Sequence, residues 1–113
     1  MALIFGAPAK KTQGTQEARQ EQRLAAAKEA YLAGRFKILT IDSVPDREIH
    51  ATFGLIVSRG FIFDNAFYGL IAQGLDVNAD ALVGYRESVA FHPEGDRYYS
   101  CYGTAVRLKA KKA

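Results

Sequence analysis

Three side chains in this sequence are good ligands for a soft metal: His50, His92 and Cys101. A structural zinc site draws on about four Cys or His ligands at compact spacing, and no two of these three share an element at such a spacing. Symmetric copies of one residue could converge in an assembly, which leaves a heavy-metal site at subunit interfaces as the metal chemistry open to this set. Otherwise the residue types predict solvent-facing histidines, a half-buried Cys101 and no cofactor. A second pattern, Asp76-x-Asn78-x-Asp80 with Glu87 at the twelfth position, matches most of a calcium-binding loop. Its sixth position, which needs glycine for a sharp turn, is Ala81, and the next residues alternate like a strand. A helix-terminating turn is the better expectation.

Catalytic constellations are missing from the sequence. No Gly-x-Ser-x-Gly elbow, phosphate-binding loop or His-Glu-x-x-His helix occurs. Arg47–Glu48 and Arg86–Glu87 read as surface or cross-strand ion pairs rather than acid–base machinery. A non-enzymatic role is expected.

Length, charge and periodicity define the scaffold on which these residues sit. A chain of 113 residues holds one domain and little more. Its net charge of +3 is unevenly placed: residues 36–108 carry six Lys/Arg against nine Asp/Glu, and the positive excess lies in residues 1–35 and in Lys109, Lys111 and Lys112. A nucleic-acid binder concentrates cations and aromatics on its folded part, so nucleic acid is not an expected partner. The apolar opening of residues 2–5 is too short for a membrane span or a secretory core. A single cysteine forms no internal disulfide, which predicts a cytoplasmic protein, or part of a virion or other assembly formed there.

Residues 1–13 read as an irregular leader broken by Gly6 and Pro8, with Gly14 behind them, and residues 15–33 as a helix capped by Thr15 and ended by Gly34. Its apolar stripe, Leu24, Ala27, Tyr31 and Leu32, is too thin for independent stability, so it needs a partner surface. Strands are predicted at residues 36–40, 48–57, 81–91 and 97–109. In the second, Ile49, Ala51, Phe53, Leu55 and Val57 alternate onto one face, with Gly54 marking a bulge. In the third, Val83, Tyr85, Val89 and Phe91 oppose Arg86 and Ser88. Residues 64–74 form a helix capped by Asp64 or Asn65, burying Phe67, Leu70, Ile71 and Leu75. The turn chemistry of residues 92–96 joins the last two strands as a hairpin. The fold class is α+β: two layers, a mainly antiparallel four-stranded sheet with one packed helix, behind an N-terminal helical arm.

The last strand is apolar on both sides, Tyr99, Cys101 and Ala105 on one and Tyr98, Tyr102, Val106 and Leu108 on the other. One helix covers one face of a sheet, so the second face is expected to be covered by another copy. Leu24, Tyr31, Tyr99 and Cys101 are the expected oligomer or docking surface.

Five segments in register carry a resemblance: Ile38-Leu39-Thr40, Val44-Pro45-x-Arg47-Glu48-Ile49, Gly54-Leu55-Ile56-Val57, Ala79-Asp80-Ala81-Leu82-Val83-Gly84 and Tyr102-Gly103-Thr104-Ala105-Val106. Together they resemble the YbjQ-like family, whose members are labelled heavy-metal-binding proteins. The resemblance spans residues 36–108 and implies an α+β subunit that assembles as a homo-oligomeric ring, typically a pentamer, without enzymatic activity. Compared with that family, residues 64–74 replace a longer helical segment, Asn78 stands in place of a glycine, and a 35-residue arm is added. The resulting organisation is a leader and arm at 1–35, a YbjQ-like domain at 36–109 and a basic tail at 110–113. The expected role is a structural module that contacts itself and, through residues 1–34, a larger assembly. The alternative is a metal- or small-ligand-binding module with sites between subunits.

Overall fold

In a computed structural model, which describes the backbone of residues 3–110 and side chains from residue 15, the alanine-rich N-terminal region is one helix, α1 (Leu3–Leu32). It begins twelve residues before Thr15 and runs through Gly6, Pro8 and Gly14. Glycine and proline both accept helical φ angles, so they lower helix propensity without forbidding the conformation. The end of the helix is as the sequence predicts. Gly34 takes φ +77°, Gly34 N–H donates to the Tyr31 carbonyl at 3.1 Å, and Arg35 N–H donates to the Ala30 carbonyl at 2.9 Å. This paired closure satisfies two of the carbonyls that a helix end leaves free.

After α1 come β1 (Lys37–Ile38), β2 (Ile49–Gly60), α2 (Phe63–Asp76), β3 (Ala81–Phe91) and β4 (Arg97–Leu108). The fold is α+β with a mixed four-stranded sheet in the order β1-β3-β4-β2. The β3–β4 hairpin and the β4–β2 pair are antiparallel, whereas the short β1 runs parallel to β3. Of the predicted first strand, Phe36 turns into the helical core instead, Lys37 and Ile38 pair with β3, and Leu39 continues the backbone bonding to Leu82 and Tyr85.

Helix α2 has a side-chain cap at neither Asp64 nor Asn65. It starts one residue earlier, and its N-cap position is Ile62. Its C-terminus repeats the closure of α1 with asparagine: Asn78 takes φ +60°, its N–H donates to Leu75, and Ala79 N–H donates to Gly74 at 2.9 Å. Asparagine tolerates this left-handed geometry, so it does the work of glycine here.

One sheet face packs on α2, with Leu70 and Ile71 against Leu82, Tyr85, Cys101 and Ala105. Two helices are packed, not one. Ala27 and Ala30 of α1 are buried in the same core, and α1 lies on α2. The contact is antiparallel: Arg23 pairs with Asp76 at 2.5 Å near the end of α2, and the Tyr31 ring meets Phe67 and Tyr68 edge-on nearer its start. Residues 15–22 of α1 are exposed.

The period-two reading of β2 holds only in part: Ile49, Leu55 and Val57 share one face, and Ala51 lies on the other. Register shifts fall between Ile49 and Ala51 and between Thr52 and Gly54, and each extra residue moves the rest of the strand onto the other face. Gly54, at φ +100°, sits at the second shift, as its position in the sequence predicted. A further shift between Val83 and Arg86 places Val83 and Tyr85 in separate clusters on opposite faces. No helix among the described residues is long and apolar enough to cross a membrane.

Candidate functional site

The face of the sheet opposite α2 divides into two halves. At one end the connection between β1 and β2 folds over it, and Val44 and Leu39 pack with Ala81, Val83, Ile49, Val106 and Leu108 in a second small core. The chain therefore covers part of this face itself. Sequence periodicity missed that cover, since a turn-rich segment with Pro45 gives no periodic signal.

Beyond that loop the face lies open. The antiparallel register sets Val57 opposite Tyr102 and Ala90 opposite Tyr98. Leu55 is 67% exposed and Phe61 is 55% exposed. The cations of this half are Arg59 and Arg86, and Arg86 is already committed through Nη1 to the Thr40 and Tyr85 carbonyls.

At the far end the open face deepens into a cleft. Phe61 stacks obliquely on Tyr98, with centroids 4.8 Å apart, and meets the His92 ring edge-on. These residues, with Ala90, Phe91 and Pro93, line a cavity of about 380 Å³. The turn that shapes it is tightly bonded: His92 N–H donates to the Asp96 carbonyl and Gly95 N–H to the His92 carbonyl, each at 2.7 Å. Phe61 lies between the strand predicted at residues 48–57 and the helix predicted at 64–74, where periodicity gives no signal. A consecutive Phe61-Ile62-Phe63 beside a polar turn was the available signal.

The expected docking residues are mostly not surface. Cys101 is fully buried beneath α2 and presents nothing to a partner. Tyr99 is half-buried against Phe63, Leu24 is half-buried on α1 where that helix meets α2, and Tyr31 is the one substantially open residue, at 36% exposure. Periodicity located the apolar positions but not which of them α1 and α2 would cover.

The candidate metal ligands are separated. His50 is exposed at the start of β2, His92 lies in the β3–β4 turn, and Cys101 is in the core. Among the described residues no group of three or more His, Cys, Asp or Glu is placed to hold an ion. Burial raises the Cys101 thiol above its ordinary range, so it is held as a neutral, inert group. The Tyr85 hydroxyl is likewise pushed up, chiefly by burial and then by its hydrogen bonding; it donates to Glu87 at 2.7 Å.

Each acidic member of the calcium-like pattern has another task. Asp76 pairs with Arg23, Asp80 accepts the Leu108 N–H at 2.8 Å, and Glu87 accepts from Tyr85. The Asn78 carbonyl accepts from Arg107. Because the Arg23–Asp76 pair is largely open to solvent, Asp76→Asn should cost less than about 1 kcal/mol. Urea melts with and without calcium check both points. A calcium-dependent rise in wild-type stability that Asp76→Asn removes would restore the binding-loop reading. Nor do Arg47 and Glu48 pair with each other. Arg47 donates to the Lys109 carbonyl and Glu48 pairs across the sheet with the Lys109 amine at 3.1 Å.

Compared with models of protein families and with curated proteins, the chain matches none.

Proposed function

We propose that this chain is a non-enzymatic subunit of a homo-oligomer, and that its open sheet face is where copies meet. One observation carries the reading: half of that face is apolar and aromatic, with Leu55 and Phe61 more than half exposed, and none of the described elements of the subunit covers it. Burying such side chains contributes about 1.5–3 kcal/mol each, a large share of a small domain's stability. Face-to-face pairing about a twofold axis would bring the Arg59–Arg86 patches of two copies together. A heterologous contact avoids that opposition, and heterologous contacts form a ring where the rotation between neighbours closes. Resemblance to the YbjQ-like family favours a pentamer. The exposed part of α1 then serves to dock the subunit on a neighbour or on a larger symmetric complex such as a virion.

Light scattering on purified protein tests the reading. The full chain should run as a multimer at micromolar concentration, and Leu55→Lys should lower its mass while leaving the subunit folded. Lysine on this exposed strand is a common device against association, and Leu55 contacts no buried cluster. A wild-type monomer sinks the proposal.

A further inference from the structure

The hydrogen-bond pattern of the sheet shows which backbone groups its two outer edges leave bare. Along a strand, successive residues bond alternately to one neighbour and to the other. Asp80 N–H donates to the Val106 carbonyl and His92 N–H to the Asp96 carbonyl, which turns Val106 and its even-numbered neighbours in β4 towards β3. The odd-numbered Tyr99, Cys101 and Gly103 therefore bond β2, at Gly60, Ser58 and Ile56. Leu55, Val57 and Arg59 are left with N–H and C=O pointing off the edge of the sheet. The Val57 carbonyl agrees: it accepts from Gln73 Nε2 of α2 at 2.8 Å. On the other side β3 is covered only as far as Tyr85, by Leu39 N–H on the Leu82 carbonyl and by the Ile41 and Leu39 carbonyls on Gly84 and Tyr85 N–H. Beyond Tyr85 the same alternation points the N–H and C=O of Glu87, Val89 and Phe91 outwards. Val89 is 48% exposed there and Phe91 70%. Neither edge is guarded against strand addition: β2 and residues 86–91 contain no proline or lysine, and the register shifts of β2 end at Gly54.

We infer that the β2 edge of one subunit, residues 55–59, adds as a strand to the β3 edge of the next, residues 87–91, so that one sheet runs through successive copies. Strand addition satisfies the bare backbone groups of both edges at once. Pairing of β2 with β2 about a twofold axis would leave the β3 edge, with Val89 and Phe91, uncovered. Both β2 and β3 are antiparallel to β4, so they point the same way. Copies rotated about an axis along the strands then meet in a parallel pair, and the contact is head-to-tail. In the register that sets Val57 beside Ser88 of the next copy, Arg59 falls beside Ala90 and Leu55 beside Arg86, so the two arginines stay about 13 Å apart along the strands. Val89 N–H reaches the second lone pair of the Val57 carbonyl, and Arg59 N–H reaches the Val89 carbonyl. This inference rests on the oligomer proposed above and names the backbone through which its copies join.

Proline tests the pairing, because it removes an N–H that the subunit itself does not use. Arg59→Pro and Val89→Pro each delete an outward donor at an exposed position, whereas Arg59→Ala and Val89→Ala keep it. By light scattering both proline variants should fall to subunit mass at a concentration where wild type and the alanine variants stay assembled. A one-to-one mixture of the proline variants should run at twice subunit mass, since one intact edge of each kind remains. Circular dichroism checks that the variants stay folded. Should either proline unfold the subunit, amide exchange on wild type reads the same contact: Val57, Arg59, Val89 and Phe91 N–H should exchange about tenfold or more slowly in the assembled protein than after dilution to subunit mass. Wild-type mass in the folded proline variants, an equal effect of alanine, a mixture that stays at subunit mass or unprotected edge amides overturns the inference while the oligomer stands. So does mass lost with Arg59→Pro and kept with Val89→Pro, the mark of β2 pairing with itself. A monomeric wild type removes both readings.

Discussion

Replacing Gly74 by alanine should destabilise this protein, and the same replacement should stabilise it once Phe36 is gone. Alanine is worth about 1 kcal/mol more than glycine in a helix interior, so propensity alone favours Gly74→Ala. The structure opposes it: a Cβ at Gly74 would stand 2.7 Å from Phe36 Cζ and 3.1 Å from Cε2. Phe36 is 2% exposed, with no room to retreat into solvent. Overpacking of this kind costs about 1–3 kcal/mol, so steric strain outweighs or cancels propensity. Phe36→Ala removes the ring that holds the α1–β1 link against α2 and should cost about 3–5 kcal/mol, from lost burial and the cavity left behind. In that background the alanine at 74 meets open space, and its propensity gain of up to about 1 kcal/mol reappears. The propensity gain is common to both backgrounds, so the double-mutant cycle should show a coupling equal to the strain, about 1–3 kcal/mol. Urea denaturation with a constant slope measures it. Should Phe36→Ala unfold the chain outright, Phe36→Leu keeps the cycle measurable. Additive effects would show that the ring does not set the space at Gly74.

The legible parts of this fold were those governed by local chemistry. Gly34 and the Asp76-Val77-Asn78 turn mark the ends of both helices, because left-handed closure needs glycine or asparagine whatever the tertiary context. Leu70 and Ile71 were identified as core by helical spacing and are fully buried. The β3–β4 hairpin and the two faces of β4 were likewise readable, since β4 keeps a strict alternation along its length. Illegible parts depended on long-range contacts. The register shift between Thr52 and Gly54 reverses the face of Leu55 and Val57 relative to Ala51, and only the partner strand reveals which residue is extra. Parallel pairing of β1 with β3 depends on where α1 delivers the chain. The candidate site divides the same way. Two-sided apolar character in β4 pointed to a second covered face, but the share covered by the loop around Val44 was hidden. The cleft was hidden too, because Phe61 and Tyr98 are 37 positions apart and meet only through β2–β4 pairing.

Raising the pH above about 10 should destabilise this protein by way of Tyr85, and Tyr85→Phe should flatten the fall. Tyr85 as a residue is 9% exposed under α2, where its ring meets Phe67 edge-on at 5.8 Å. Burial is the main reason its pKa is held well above the ordinary value near 10; hydrogen bonding with Cys101 and Glu87, and the charge each can carry, push the same way. The unfolded chain loses this proton near pH 10 while the folded chain keeps it. The folded state then binds more protons, so stability falls as pH rises, by up to about 1.4 kcal/mol per pH unit for one such group. Below pH 10 both states are protonated and the contribution is fully present. Cys101, cross-strand partner of Glu87, acts with the same sign from the ordinary thiol range near 8.5 upwards, because burial raises it too. Tyr85→Phe keeps the ring and loses the hydrogen bond to Glu87, a cost of about 1 kcal/mol at neutral pH. Above pH 10 the variant should lose stability more slowly than wild type, by up to about 1.4 kcal/mol per unit, so that the two curves converge. Cys101→Ala should remove the part of the fall that begins nearer pH 9. Urea midpoints between pH 8 and 11 follow both. Parallel curves for wild type and Tyr85→Phe would mean that the hydroxyl ionises in the folded state as easily as in the unfolded one, and that the contact of α2 with the sheet does not exclude water from it.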